Sequence, residues 1–486
     1  MITPVIAGIT VLLYLATLFA ISYVTSRKAD NAGFFVGGRQ SSWIVVSIAT
    51  IGSTISGVTF VSVPGMVQAS HFAYLQMVMG FIVGQFIIAF VLVPLYYRMK
   101  LVSVYEYLKS RFGMGSYHTG AWFFFVSKML GAAVRVFLVC LTLQILIFAP
   151  LGIPFLFNAL VTMLVVWLYT YRGGVKTVIW TDLFKTMCLV LSVVLCIWFI
   201  SRQLGFSLGG VCQAIFGNDM SQVFFFDDVN DRRFFPKQFF AGVFTIIATT
   251  GLDQDLMQRN LSCKNSSESR KNMIVSIFMQ FVVISLFLML GVLLYIFAAH
   301  VGPELTQCKG DEIFTKVATG GYLPLVVGIL FLIGLVAAAF GAAGSALTAL
   351  TTSFTVDILN ADRSNEQATA RTRRYVHAGM ALLMALVIYV FNLLNNTSVI
   401  DAVYILASYT YGPILGMFAF GILTPWQVRD KYIPWVAIVA PVLCFILDKN
   451  SVEWFNGYRF SYELLILNAL FTFVGLTLLV RKQGKA

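Results

Sequence analysis

The feature that most limits how this chain can fold is a succession of apolar runs, each long enough to cross a bilayer as a helix. A helix rises 1.5 Å per residue, so a hydrocarbon layer of about 30 Å takes about 20 residues. Such runs recur from Ile9 to Leu479. Their boundaries fall near 3–25, 42–68, 71–97, 117–149, 153–171, 177–201, 236–257, 271–300, 322–359, 372–392, 397–422, 432–448 and 461–480. That predicts about thirteen transmembrane helices. Only 11% of the residues are charged and 59% are hydrophobic, whereas soluble domains carry about 25% charged residues. A membrane barrel would show short alternating segments instead. The expectation is an all-α polytopic membrane protein made of one large bundle.

The formal net charge of +12 does not mark a nucleic-acid binder, because the charges sit in short loops between the runs. Lys and Arg crowd the loops near 27–39, 98–111, 172–176, 259–271, 363–374 and 429–431 and the tail after 480, while the alternate loops carry few. The positive-inside rule makes the crowded side cytoplasmic. The N-terminus is then outside and the C-terminus inside, as in a multi-pass protein of a bacterial inner membrane. No basic n-region precedes the first run, so no signal peptide is expected. Cys140, Cys188 and Cys196 lie inside apolar runs, and there is no CxxC pair. Metal sites are not expected, and a bridge between Cys212 and Cys308 has weak support. The external loop 202–235 carries FFFDDVNDRRFFP, which suits a short interfacial helix or a cap over a pathway.

Two runs carry helix-breaking chemistry. In SIATIGSTISGVTFVSVPGMV, Gly52, Ser53, Thr54, Ser56, Gly57, Thr59, Ser62, Pro64 and Gly65 fall close together. Pro and Gly loosen the helical ladder, and unwound backbone survives in a membrane only where it faces protein or a watery cavity. Freed carbonyls there can hold a cation or polar solute, as in secondary transporters. Close helix packing is the competing reading. SYTYGPILGMFAFG, with Tyr409, Tyr411, Gly412 and Pro413, predicts a second kink or hinge.

Ionisable groups within the runs are costly and mark function. Arg135 lies deep in SKMLGAAVRVFLVCLTLQ, where its guanidinium suits a carboxylate on a solute or on the protein itself. Lys128, nearer the cytoplasmic end, is expected to snorkel. Asp182 in YRGGVKTVIWTDLFKT could hold a cation, take a proton or pair with Lys185. Asp253 and Asp255 in TTGLDQDLMQRNL are placed in a gating or structural network with Arg259. Gln76, with Thr54, Ser56, Thr59 and Phe72, could line a pocket for hydroxyls and a sugar face. No nucleophile with its base is present, so an enzyme is not expected.

Four stretches together resemble the sodium:solute symporter family: FFVGGRQSSWIVVSIATIGSTISGVTFVSVPG, YRGGVKTVIWTDLFK, GLDQDLMQRNLS and SALTALTTSFTVDIL. The resemblance covers about residues 3–480. It implies a LeuT-like core of inverted five-helix repeats over 42–422, with 1–41 an extra N-terminal helix and linker and 423–486 two peripheral C-terminal helices. Mapped from the family, the main sodium site takes carbonyls of Gly52, Ile55 and Ala338. The two hydroxyl positions fall on Gly341 and Ala342, which have none. A second sodium position maps to Asp182, Gly344 and Ser345, of which Asp182 and Ser345 keep their oxygens. Three carbonyls leave a sodium ion short of ligands in a low-dielectric site. Weak sodium binding at Gly52, Ile55 and Ala338 with added water, a proton on Asp182, or uncoupled transport remain as readings, and impaired or absent sodium coupling is favoured.

Resemblance to the sialic acid members implies that Arg135 grips a carboxylate, with Gln76, Thr54, Ser56, Thr59 and Phe72 around the solute. The expected function is import of a small polar solute by alternating access, with an acidic sugar such as sialic acid favoured. A sodium-coupled carrier of a neutral sugar or polyol, a proton-coupled carrier and a channel are the alternatives. The expected partners are the solute and membrane lipids, with no cofactor, nucleic acid or obligate protein partner.

Overall fold

The computed structural model describes residues 3–26, 41–55, 57–171, 174–308, 310–359, 366–394 and 399–481. Among these the protein is helical, and its β-type pairing is limited to isolated bridges. The principal helices are α1 (Pro4–Ser26), α2 (Trp43–Thr54), α3 (Gly57–Ser70), α4 (Tyr74–Ile87), α5 (Met114–Leu143) and α6 (Phe155–Thr170). They continue with α7 (Gly174–Gln203), α8 (Phe235–Ile246), α9 (Gln254–Asn260), α10 (Ser266–Val301) and α11 (Leu325–Ser353). Last come α12 (Glu366–Leu394), α13 (Val399–Leu423), α14 (Ile433–Trp454) and α15 (Leu464–Leu478).

By length and composition, nine helices among the described residues can cross a membrane, or ten if α2 and α3 form one bent span. The expected count of thirteen is therefore not reproduced on these criteria. The differences lie at α6 and α15, which are apolar but short, and at α8, which has 12 residues before a π-helical turn over Ile247–Gly251.

The element order repeats itself. One half opens with the broken pair α2 and α3, and the other with α8 and α9, which are interrupted at Leu252 and Asp253. The long helices α5 and α11 hold matching places, and each passes into a π turn, at Gln144–Phe148 and Phe354–Ile358. Interrupted segments at corresponding places in two halves mark the inverted-repeat transporters.

Small residues set how closely the elements approach. A Cβ on Gly80 would lie 2.9 Å from Val243 N, so α4 and α8 touch backbone to backbone. A Cβ on Gly57 would lie 3.6 Å from that of Ala338, which puts the start of α3 against the Ala/Gly half of α11. Without a hydrophobic drive between helices in lipid, such contact is where packing energy is found. The hydroxyls in the second half of α11 are used locally. Thr348, Thr351 and Thr352 donate to Ser345, Leu347 and Thr348 carbonyls at 2.8, 2.6 and 2.8 Å. Ser353 donates to Asp357 at 2.7 Å, and Ser103 and Tyr117 each donate to the same carboxyl at 2.8 Å.

Other expectations meet mixed outcomes. α13 runs as one helix through Pro413, which has no N–H to donate, and the Tyr409 carbonyl four residues earlier accepts instead from the Asn468 side-chain amide at 3.0 Å. The external loop forms a short helix, Leu208–Phe216, and an aromatic cluster in which Phe226 packs on Phe235. Cys212 is exposed, Cys308 is buried, and both are free thiols.

Candidate functional site

α2 ends inside the bundle. Ile55 leaves the helix with extended backbone (φ −85°, ψ 101°), and the chain resumes as α3 at an angle of 56°. The last carbonyls of α2 thereby lose their helical partners at the negative end of the helix dipole. Thr54 Oγ1 donates to the Ile51 carbonyl at 3.0 Å. Ser56 lies outside the described residues.

Beside this break stands a chain of six buried charges of alternating sign. Lys185 Nζ lies 3.0 Å from Asp182 Oδ1, and Arg259 bridges Asp182 at 2.6 Å and Asp255 at 2.8 Å. Lys128 Nζ lies 2.6 Å from Asp255 and 3.3 Å from Asp253. Ser53 Oγ donates to Asp182 Oδ2 at 2.9 Å, Ser345 Oγ donates to Asp255, and the Tyr411 hydroxyl donates to Asp253. Asp253 also caps α9, accepting from Asp255 N at 2.8 Å. Three cations and three carboxylates cancel, so the chain is neutral as a whole, as burial demands.

The snorkelling expected of Lys128 is therefore corrected. Its Nζ is drawn inward by two carboxylates because the interruption between α8 and α9 presents both to α5. The pairing of Asp255 with Arg259 agrees with the expected network.

A central cavity opens between the α2–α3 break, α5, α8, α11 and α13. Thr54, Thr59 and Arg135 line it together, along with Thr249, Gln280 and Tyr411. Lys128, Asp253, Asp255 and Arg259 form part of its wall. Arg135 forms no ion pair among the described residues, unlike Lys128 and Arg259 beside it.

Two expected pocket residues lie elsewhere. Phe72 is buried and its N–H bonds to the Gln222 carbonyl at 3.0 Å. Gln76 is fully buried. It donates to the Arg233 carbonyl at 2.7 Å and accepts from Phe225 N at 3.4 Å, which ties α4 to the external loop. Of the expected ion positions, Ala342 and Ser345 line the cavity, whereas Gly52, Ile55, Ala338, Gly341 and Asp182 lie outside the lining. Gly52 and Gly341 both face the Lys185 side chain.

Of the readings offered for Asp182, the pair with Lys185 at i and i+3 on one helix face is seen, but the reach of Lys185 toward Gly52 and Gly341 was missed from the sequence. Tyr411 carried a signal only as part of a kink, and its contact with Asp253 comes from the packing of α13.

A helical bundle of two similarly interrupted halves around a polar central cavity defines a secondary transporter of the inverted-repeat, LeuT-like class. The chain matches the sodium:solute symporter family over residues 34–427, and it belongs to that family. It is 26% identical over 433 residues to the sodium/sialic acid symporter NanT of Aliivibrio fischeri, covering 84% of this chain and 81% of that one. It is 23% identical over 416 residues to the human sodium/iodide cotransporter, covering 82% of this chain and 62% of that protein. Among solved structures, a Na+-coupled sialic acid symporter in a substrate-bound outward-open state superposes with a TM-score of 0.81 at 19% identity, covering 97% of each chain.

Proposed function

We propose that this protein carries a small anionic solute, an acidic sugar such as sialic acid, across the membrane by alternating access without a sodium ion at the α2 break. The observation that carries this reading is Arg135. The charge chain balances itself, so the Arg135 guanidinium is a surplus positive charge on the cavity wall, with Thr54 and Thr59 nearby to meet hydroxyls. A solute carboxylate supplies the bidentate partner that the site lacks. The sialic acid transport named for the Aliivibrio relative supports the same class.

The reading without sodium rests on the donors. Gly341 and Ala342 offer no side-chain oxygen, Asp182 is already shared by two cations, and Ser345 is donating to Asp255. Charge asymmetry of the loops supports an outward N-terminus and a cytoplasmic C-terminus.

The test is exchange of radiolabelled sialic acid across proteoliposomes preloaded with the unlabelled sugar. Saturable exchange, inhibited by sialic acid and not by its neutral analogues, is the expected result. Exchange that Arg135→Ala leaves intact would remove the carboxylate assignment.

A further inference from the structure

The end of α2 and the Asp182 carboxylate together make a pocket of negative potential, which calls for a cation. The side chain of Lys185 fills it. A Cβ on Gly52 would lie 3.2 Å from Lys185 Cε, and one on Gly341 would lie 2.9 Å from Lys185 Nζ and 2.8 Å from Asp182 Oδ1. A side chain at Gly341 would displace the lysine or its carboxylate, and one at Gly52 would first meet Thr186 Oγ1 and the Asp182 carbonyl, the latter at 2.7 Å. The lack of a hydroxyl at Gly341 and the presence of Lys185 are thus one arrangement.

We propose that the Lys185 ammonium is the tethered cation of this site, and that the proton it carries is the ion coupled to solute movement. The proposal rests on the anionic-solute reading above and adds its driving ion.

The geometry singles out Lys185 among the three cations. Arg259 holds two carboxylates and its guanidinium keeps its charge. Lys128 sits between two carboxylates. Lys185 ends the chain and shares its one carboxylate with Arg259. Its Nζ is fully buried, with Asp182 Oδ1 at 3.0 Å as its one ion-pair partner among the described residues. When an Nζ–H bond breaks, the electron pair stays on nitrogen and the proton passes to water on the cytoplasmic side. Asp182 remains paired with Arg259, so no carboxylate is stranded. The amine regains a proton from water on the outer side.

The charged and titratable groups around Lys185 are few. Asp182 and Cys188 lie on its own helix, Arg259 and Asp255 on α9, Tyr14 on α1 and Tyr169 on α6. α2 and α11 bring none, and α10 carries Glu268, Arg270, Lys271, Tyr295 and His300 toward its two ends.

The full chain is reconstituted without sodium, with the lumen one pH unit above the outside. One proton per solute then supports about tenfold accumulation of radiolabelled sialic acid. Wild type is expected to approach that ratio and to lose it with a protonophore. Lys185→Met and Lys185→Arg are both expected to lose it. The arginine keeps the charge and the Asp182 pair, so its failure reports the proton. Accumulation by K185R or K185M at the wild-type ratio would overturn the proposal, and so would wild-type accumulation that requires sodium.

A second measurement needs no variant. Sialic acid added to purified wild type in a weakly buffered solution is expected to change the proton content of the medium, and no change would overturn the proposal. Failure of gradient-free sialic acid exchange removes the anionic-solute reading itself. Intact exchange with no response to the pH gradient removes only the role of Lys185.

Discussion

Asp182→Asn probes the centre of the buried charge chain with almost no change in volume. Asp182 is wholly inaccessible, and its oxygens serve Arg259 at 2.6 Å, Lys185 at 3.0 Å and Ser53 at 2.9 Å. The amide leaves Arg259 with Asp255 but leaves Lys185 with no carboxylate among the described residues. Breaking a buried pair from one side costs about 3–5 kcal/mol, because a charge stays buried without compensation. An unfolding entropy of about 2.1 cal/mol/K per residue gives roughly 1 kcal/mol/K for a chain of this length, so Tm should fall by about 3–5 °C. Thermal unfolding of the detergent-purified protein reads this directly. Adding Lys185→Met to Asp182→Asn removes the stranded ammonium and is expected to restore about 1–3 kcal/mol. A Tm change under about 0.5 °C in D182N, or a double variant no better than the single one, would refute the reasoning.

Other expectations follow from the same geometry. Arg135→Ala should weaken sialic acid binding about 30-fold or more, as loss of about 2 kcal/mol from a charged pair implies, and titration calorimetry checks it. R135K should recover little, because an ammonium lacks the planar fork. Gly344→Ala puts a methyl into the Tyr169 hydroxyl, which itself donates to the Phe340 carbonyl at 2.5 Å. It should cost about 1–3 kcal/mol, seen as a lower Tm that Tyr169→Phe partly relieves. Gln76→Leu should loosen the loop around 222–235 and speed its amide exchange, with no change in solute selectivity. In that loop, the hydrogen bond from Arg233 holds the Asp231 carboxyl below its usual range, with smaller contributions from charge. A depressed carboxylate stabilises above its unfolded pKa, and this is lost as pH falls through the folded value. Loop protection should therefore weaken below about pH 4, by little, because the pair is partly exposed.

Much of the architecture was legible because a bilayer imposes a length rule on each apolar run and a charge rule on each loop. The break at Gly52–Gly57 was legible for a local reason, since small residues and Pro64 weaken one helix. Its partner break at Leu252 and Asp253 was not, because GLDQDL reads as the end of a span unless Asp253 is known to cap α9. Thr54, Thr59 and Arg135 were placed together from residue type and resemblance. Gln76, read with Phe72 as a solute contact, bonds the external-loop backbone in the structure, because a buried amide serves a loop backbone as well as it serves a solute. The absent hydroxyls at Gly341 and Ala342 were visible in the sequence. Their counterpart was not, because the reach of Lys185 toward Gly341 depends on how α7 packs between α2 and α11.

The most direct test is radiolabelled sialic acid uptake into proteoliposomes, with sodium and proton gradients imposed one at a time. Saturable uptake in sodium-free vesicles, driven above equilibrium by the proton gradient and unchanged by the sodium gradient, is the expected result. Accumulation that appears only with the sodium gradient, or no sialic acid uptake under either, would contradict an anion carrier whose cation is built into the chain.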